Sequence, residues 1–212
     1  FNTIRWINTF PVVPGLGNLH GRLAFNQSFF TYVAALNLHP VFGHGRTVAN
    51  GFLLLLALAT FGELLLPAVK RPSVAAGWRP LRWIPALFGV PIIVYWALSS
   101  DGLASPSADL ASQTLLLVIF AMFARLMDVW AAEGLMPPGG AVMLFFAAAT
   151  AVTVKLSNVV FCAVIMGFVS CAVLRNPKHR ISRLLLLALP LVLIIPSWCL
   201  RGFILSGVPL YP

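Results

Sequence analysis

Gly15, Gly17 and Gly21, in "PGLGNLHG", have the density of a loop that wraps backbone N–H groups around a phosphate. The spacing does not fit one. A dinucleotide fingerprint needs G-x-G-x-x-G between a strand and a helix, and here the third glycine falls one residue late, with Pro14 ahead of the first. The G-K-[ST] of a nucleotide P-loop is absent. His20, His39 and His44 raise the question of a metal, but no H-E-x-x-H and no Cys/His pairing accompanies them. Cys162, Cys171 and Cys199 all lie in apolar runs. Cys162 and Cys171 are nine residues apart, which puts them on opposite faces of one helix, where they cannot pair.

Acid–base chemistry has few candidates. Only five residues are acidic, and the first 46 residues contain none. Asp101 and Asp109 flank "GLASPSA" and belong to one loop. Asp109 would stand at the start of a helix, where the dipole favours a carboxylate, so a capping role competes with a catalytic one. Lys155, in "TVKLS", interrupts an apolar run. Its ammonium could meet a phosphate, or simply extend to a membrane interface.

These residues must be held by membrane helices. Of 212 residues, 60% are hydrophobic and 9% charged, against roughly 25% charged in an average soluble domain. Mean hydropathy is +0.94. Six apolar runs approach the roughly 20 residues that a bilayer crossing needs: Val48–Val69, Leu81–Leu98, Leu110–Trp130, Ala141–Val154, Leu156–Leu174 and Leu184–Leu200. Each must be helical, because lipid offers no partner to an open backbone. Lys155, Ser157 and Asn158 predict a tight reversal between the fourth and fifth runs, with one kinked helix as the alternative. Pro85, Pro91, Pro190 and Pro196 predict kinks or local breaks. The expected fold is an all-α polytopic bundle of about six spans. Residues 47–200 form the spans, 1–46 an outer-face loop, and 201–212 an outer-face tail. Within the loop, Phe25–Leu38 is too short and polar to cross comfortably and predicts an amphipathic helix on the membrane surface.

The net charge of +9 reflects topology rather than nucleic-acid binding. If the six runs alternate, nine Lys and Arg residues fall on one side, including Lys70, Arg71, Arg79, Arg82 and the cluster in "RNPKHRISR". Five fall on the other: Arg5, Arg22, Arg46, Lys155 and Arg201. The positive-inside rule then makes the richer side cytoplasmic. The chain opens on Phe1 without a signal-peptide pattern and reads as a piece of a longer protein.

The segments "IRWINTFPVVPGLGNLHGRLAFNQSFF", "SPSADLASQTLL", "TVKLS" and "RGFILSGVPLYP" together resemble an uncharacterised family of bacterial multi-spanning membrane proteins. That family is similar to the GT-C glycosyltransferases. The resemblance implies sugar transfer from a polyprenyl-phosphate donor to an envelope glycan or lipid acceptor, at the outer face of a bacterial inner membrane. It implies phosphate and sugar contacts from Arg22, Asn18, His20, Asn26, Lys155 and Arg201, with Asp109 and Asp101 as the acids in reach. Phe29, Phe30 and Tyr211 would pack on sugar or prenyl carbon. The resemblance fixes no cofactor; GT-C enzymes often use a divalent cation at the outer face, where His20 would be a contact. Their usual catalytic base is an acidic residue early in the first outer loop, a position this resemblance puts before Phe1. Two other readings are a transporter or lipid flippase, and a non-catalytic envelope-assembly subunit.

Overall fold

The computed structural model describes residues 2–37, 43–70, 83–99, 103, 105–175 and 180–210. Those residues form helices and turns, with no strand among them. Four helices are long and apolar enough to cross a membrane: α4 (Gly45–Lys70), α6 (Ala108–Glu133), α8 (Val159–Leu174, with the turn before it) and α9 (Arg180–Ser206). Two shorter apolar helices, α5 (Val90–Ser99) and α7 (Pro138–Val154), account for the remaining runs. The outward surface is apolar, as lipid contact requires. Along α9, Leu185, Val192, Leu193, Leu200 and Phe203 are all exposed.

Local chemistry explains the boundaries. Ser107 caps α6, its Oγ accepting from the Asp109 N–H at 3.2 Å, and Asp109 complements the dipole in the first turn. Gly134, left-handed at φ 67°, ends the helix, its N–H donating to the Trp130 carbonyl. Pro138 then opens α7, where a missing N–H costs nothing. Before α5, a π-helical turn covers Pro85–Gly89. Pro91 has no N–H to donate back, and the chain accommodates that by a register change rather than a kink in a continuous helix. Pro190 and Pro196 lie inside α9, which continues through both.

The core is built around α7, which packs on α6, α8 and α9. Its "AAATAV" stretch, residues 147–152, lets the neighbours come close: Ala148, Ala149 and Ala151 have no exposed surface. The α7–α8 connection is a reversal and not a kink. Lys155 is extended (φ −151°, ψ 118°), a 3-10 turn follows over Leu156–Asn158, and Val173 near the end of α8 returns beside Ala141 at the start of α7.

One end of the bundle is roofed. Helices α1 (Asn2–Thr9), α2 (Leu16–Leu19), a 3-10 turn over Gly21–Ala24, and α3 (Ser28–Leu36) lie across the starts of α4 and α6 and the ends of α7 and α9. Helix α3 falls within the predicted Phe25–Leu38, but its apolar face turns into protein. Phe29 and Val33 are 1% and 0% exposed, in a cluster with Ile4, Ala49, Ala108 and Val154. The start of α4, the start of α6 and the end of α7 offer apolar surface that α3 covers, so protein takes the place expected for lipid.

Candidate functional site

Polar side chains of the described residues concentrate beneath and within this roof. Two polar connections at this end differ in kind: one ties the roof to α9, the other ties the start of α6 to the α7–α8 reversal. The first is buried. Asn26 is 0% exposed. Its Oδ1 accepts from Arg201 Nη1 at 2.7 Å, and its Nδ2 donates to the Trp198 carbonyl at 2.7 Å. Trp198 Nε1 donates back to the Asn26 carbonyl. The backbone closes in alongside: a Cβ on Gly202 would lie 2.5 Å from the Pro209 carbonyl oxygen and 2.8 Å from Asn26 Nδ2. Gly15 N–H donates to the Ile204 carbonyl, and Leu16 packs on Leu205. Asn26 and Arg201, both candidates for phosphate or sugar contact, are thus engaged with each other.

The second connection is open to solvent. Lys155 Nζ donates to Asp109 Oδ1 at 2.6 Å, with 41% and 55% of the two side chains exposed. Both members are positioned from below. Asn50 Nδ2 donates to the Ser105 and Ser107 carbonyls at 2.8 and 3.1 Å, fixing the approach to the Ser107 cap and so to Asp109. On the other side, Asn158 Nδ2 donates to the Ala151 carbonyl and its Oδ1 accepts from Ser112 Oγ at 2.9 Å, tying the reversal that carries Lys155 to α6. Ser28 and Thr153 hydroxyls meet at 2.8 Å, and Tyr32 donates to the Ala49 carbonyl. Burial pushes the Tyr32 phenol above its ordinary pKa, which keeps it a donor. Asn50 carries no sequence signal beyond an amide inside an apolar run, and Asn158, a marker of the reversal, gives no sign of its bond to Ser112.

The other candidates scatter. Asn18 and His20 are exposed on the roof. Arg22 lies in the 3-10 turn Gly21–Ala24. Asp101, His39 and Tyr211 lie outside the described residues. Phe29 is buried, so its ring is closed to a sugar or prenyl chain. Among the described residues, no three His, Cys, Asp or Glu side chains come together as metal ligands. Cys162 is buried and Cys171 exposed, as their opposite faces predict.

Two clefts flank α1. One, of about 400 Å³, is lined by Arg5, Asn8, Thr9, Asn37 and Arg46 over a floor of Ile4. The other, of about 430 Å³, is lined by Asn2, Trp6, Phe10, His20 and Leu23, and again by Arg5 and Thr9. Ile4 belongs to the same apolar cluster as Ala108 and Val154, the chain neighbours of Asp109 and Lys155.

The chain belongs to the family described as a domain of unknown function (DUF8201), which matches residues 1–212. Comparison with curated proteins and with solved structures gives no match.

Proposed function

We propose that the protein is a membrane glycosyltransferase-like module of the GT-C type. It moves a sugar from a polyprenyl-phosphate donor to an envelope acceptor at the outer face of a bacterial inner membrane. The observation that carries this reading is the solvent-exposed Asp109–Lys155 pair, held at a helix start and a helix reversal. A carboxylate and an ammonium side by side suit the reaction. Asp109 takes the proton of an acceptor hydroxyl as its oxygen attacks the anomeric carbon. The anomeric C–O bond to phosphate breaks, and the polyprenyl phosphate leaves with the electron pair, its charge balanced by Lys155. The roof supports it further: residues 1–46 bring Arg5, Arg22 and Arg46 and no acid.

In this reading the six apolar helices alternate across the bilayer, the roofed end faces outward, and the richer set of nine Lys and Arg residues is cytoplasmic. Cysteines placed at Ser73 and Ser182 are then shielded from an outside thiol reagent, while one at Ser107 labels. The reverse pattern would overturn the orientation.

A transfer assay on the full-length protein with lipid-linked sugar donors tests the activity. Asp109→Asn abolishes transfer if the reading holds. Undiminished transfer in that variant would remove Asp109 from the chemistry, and no transfer from any donor would sink the proposal. A second reading, a non-catalytic envelope-assembly subunit, is favoured by the internal use of Asn26 and Arg201. It predicts assembly defects without any transfer by the purified protein.

A further inference from the structure

The end of the bundle opposite the roof carries an apolar groove of about 540 Å³. One wall is α6, through Met127 and Trp130, and the other is the stretch of α8 from Ala163 to Arg175 at its end. Val164, Phe168 and Cys171 are exposed along this side of α8. Between them a Cβ at Gly167 would meet nothing within 4 Å, so the missing side chain leaves open space that no neighbour fills. Phe168 is braced by an edge-on contact with the Phe123 ring of α6, centroids 6.2 Å apart.

The length of the groove fits one leaflet. At about 1.5 Å of rise per residue, the helix from Ala163 to Arg175 covers about 18 Å. Half of a hydrocarbon core of about 30 Å is about 15 Å. A single acyl chain can therefore lie along the groove with its headgroup at the Arg175 end. Trp130 stands at that same end, and indoles settle at the membrane interface.

The mouth is cationic. Arg175 is exposed, and its Cζ stands 5.4 Å from the centroid of the Trp130 ring. A cation–π contact holds the guanidinium over the groove without neutralising it. The groove lining includes no Asp or Glu, and among the described residues no carboxylate pairs with Arg175. The sequence continues from it as "RNPKHRISR", with four Lys and Arg in nine residues and no acid. Basic segments at the end of a span attract anionic headgroups, and a guanidinium fork matches two phosphate oxygens. We infer that the α6–α8 groove is a binding site for an anionic glycerophospholipid, with one acyl chain along Gly167 and Phe168 and the phosphate on Arg175. Its headgroup lies at the opposite ends of α6 and α8 from Asp109 and Lys155, so this lipid is not the sugar donor, and the site does not depend on the glycosyltransferase reading.

The test is alkylation of Cys171 in the purified full chain in detergent micelles, with Cys199, outside the groove, as the internal reference. Phosphatidylglycerol, phosphatidylcholine of the same acyl chains, and farnesyl phosphate are titrated in separately, and maleimide-modified peptides are read by mass spectrometry. Phosphatidylglycerol is expected to slow Cys171 about tenfold relative to Cys199, and phosphatidylcholine to need about tenfold more lipid for half protection. Arg175→Gln is expected to remove that preference and leave protection by phosphatidylcholine unchanged. Gly167→Leu puts a side chain into the open space, and neither phospholipid should then slow Cys171 further. If Gly167→Leu does not fold, the Arg175→Gln comparison decides alone. Overturning results are a Cys171 rate indifferent to phosphatidylglycerol, equal half-protection by the two phospholipids in the parent chain, or an unchanged preference in Arg175→Gln. Farnesyl phosphate protecting as well as phosphatidylglycerol would also overturn the assignment, by making the occupant a prenyl chain. So would protection without added lipid that is lost on dilution, which would make the occupant a second copy of this chain.

Discussion

Asn26–Arg201 and Asp109–Lys155 are two polar connections at the same end of the bundle, each between a charged group and a polar or charged partner. One is buried and the other is half in solvent. That difference decides their roles. Asn26 satisfies a guanidinium, a carbonyl and an indole N–H at once, where water cannot substitute, so each bond withstands little loss. In the exposed pair, water replaces either partner at small cost, so the pair adds little stability and both groups remain available to a ligand. The buried connection is a fastening, and the open one is where chemistry has room.

The comparison breaks first at Asn26. Asn26→Leu leaves the partly buried Arg201 without its acceptor and the Trp198 carbonyl without its donor, and should cost about 3 kcal/mol. Thermal unfolding in detergent micelles reads this as a large fall in Tm. Gly202→Ala should follow at about 2 kcal/mol, because its Cβ would overlap the Pro209 carbonyl and Asn26 Nδ2. A Gly202→Ala protein as stable as the parent would mean that the roof does not sit tightly on α9. Lys155→Met should change stability by less than about 1 kcal/mol. It should nonetheless abolish transfer, measured on the same preparation. Unfolding comparable to Asn26→Leu would erase the distinction between the two connections. Smallest is a labelling difference: a membrane-permeant maleimide should modify Cys171 and spare Cys162, as mass spectrometry of proteolytic peptides can show.

The apolar helices were legible because a bilayer crossing needs a long apolar run; among the described residues each of the six runs carries a helix, four of them long enough to cross. The α7–α8 reversal was legible from Lys155, Ser157 and Asn158, since a charge and two polar groups are poorly placed in mid-helix. The Ser107–Asp109 cap was legible for the same local reason. What could not be read is long-range. Asn26 looks like any polar residue in a loop until Arg201 and Trp198 are brought beside it. The burial of Phe29 depends on the ends of α4, α6 and α7 needing a cover, which no local pattern encodes. Arg5 and Arg46 registered only as topology charges, because a shared cleft needs α1 to lie against the start of α4.

The buried fastening also sets an order of events during synthesis. Arg201 lies 175 residues after Asn26. At about 5–20 residues per second of elongation, the roof waits roughly 10–35 s for its partner to be made. Throughout that interval Asn26 and the apolar side of α3 have no completed bundle to rest on. The assembling chain therefore passes through a stage in which a chaperone or the insertion machinery can hold the roof open, and only insertion of the last helix locks it down.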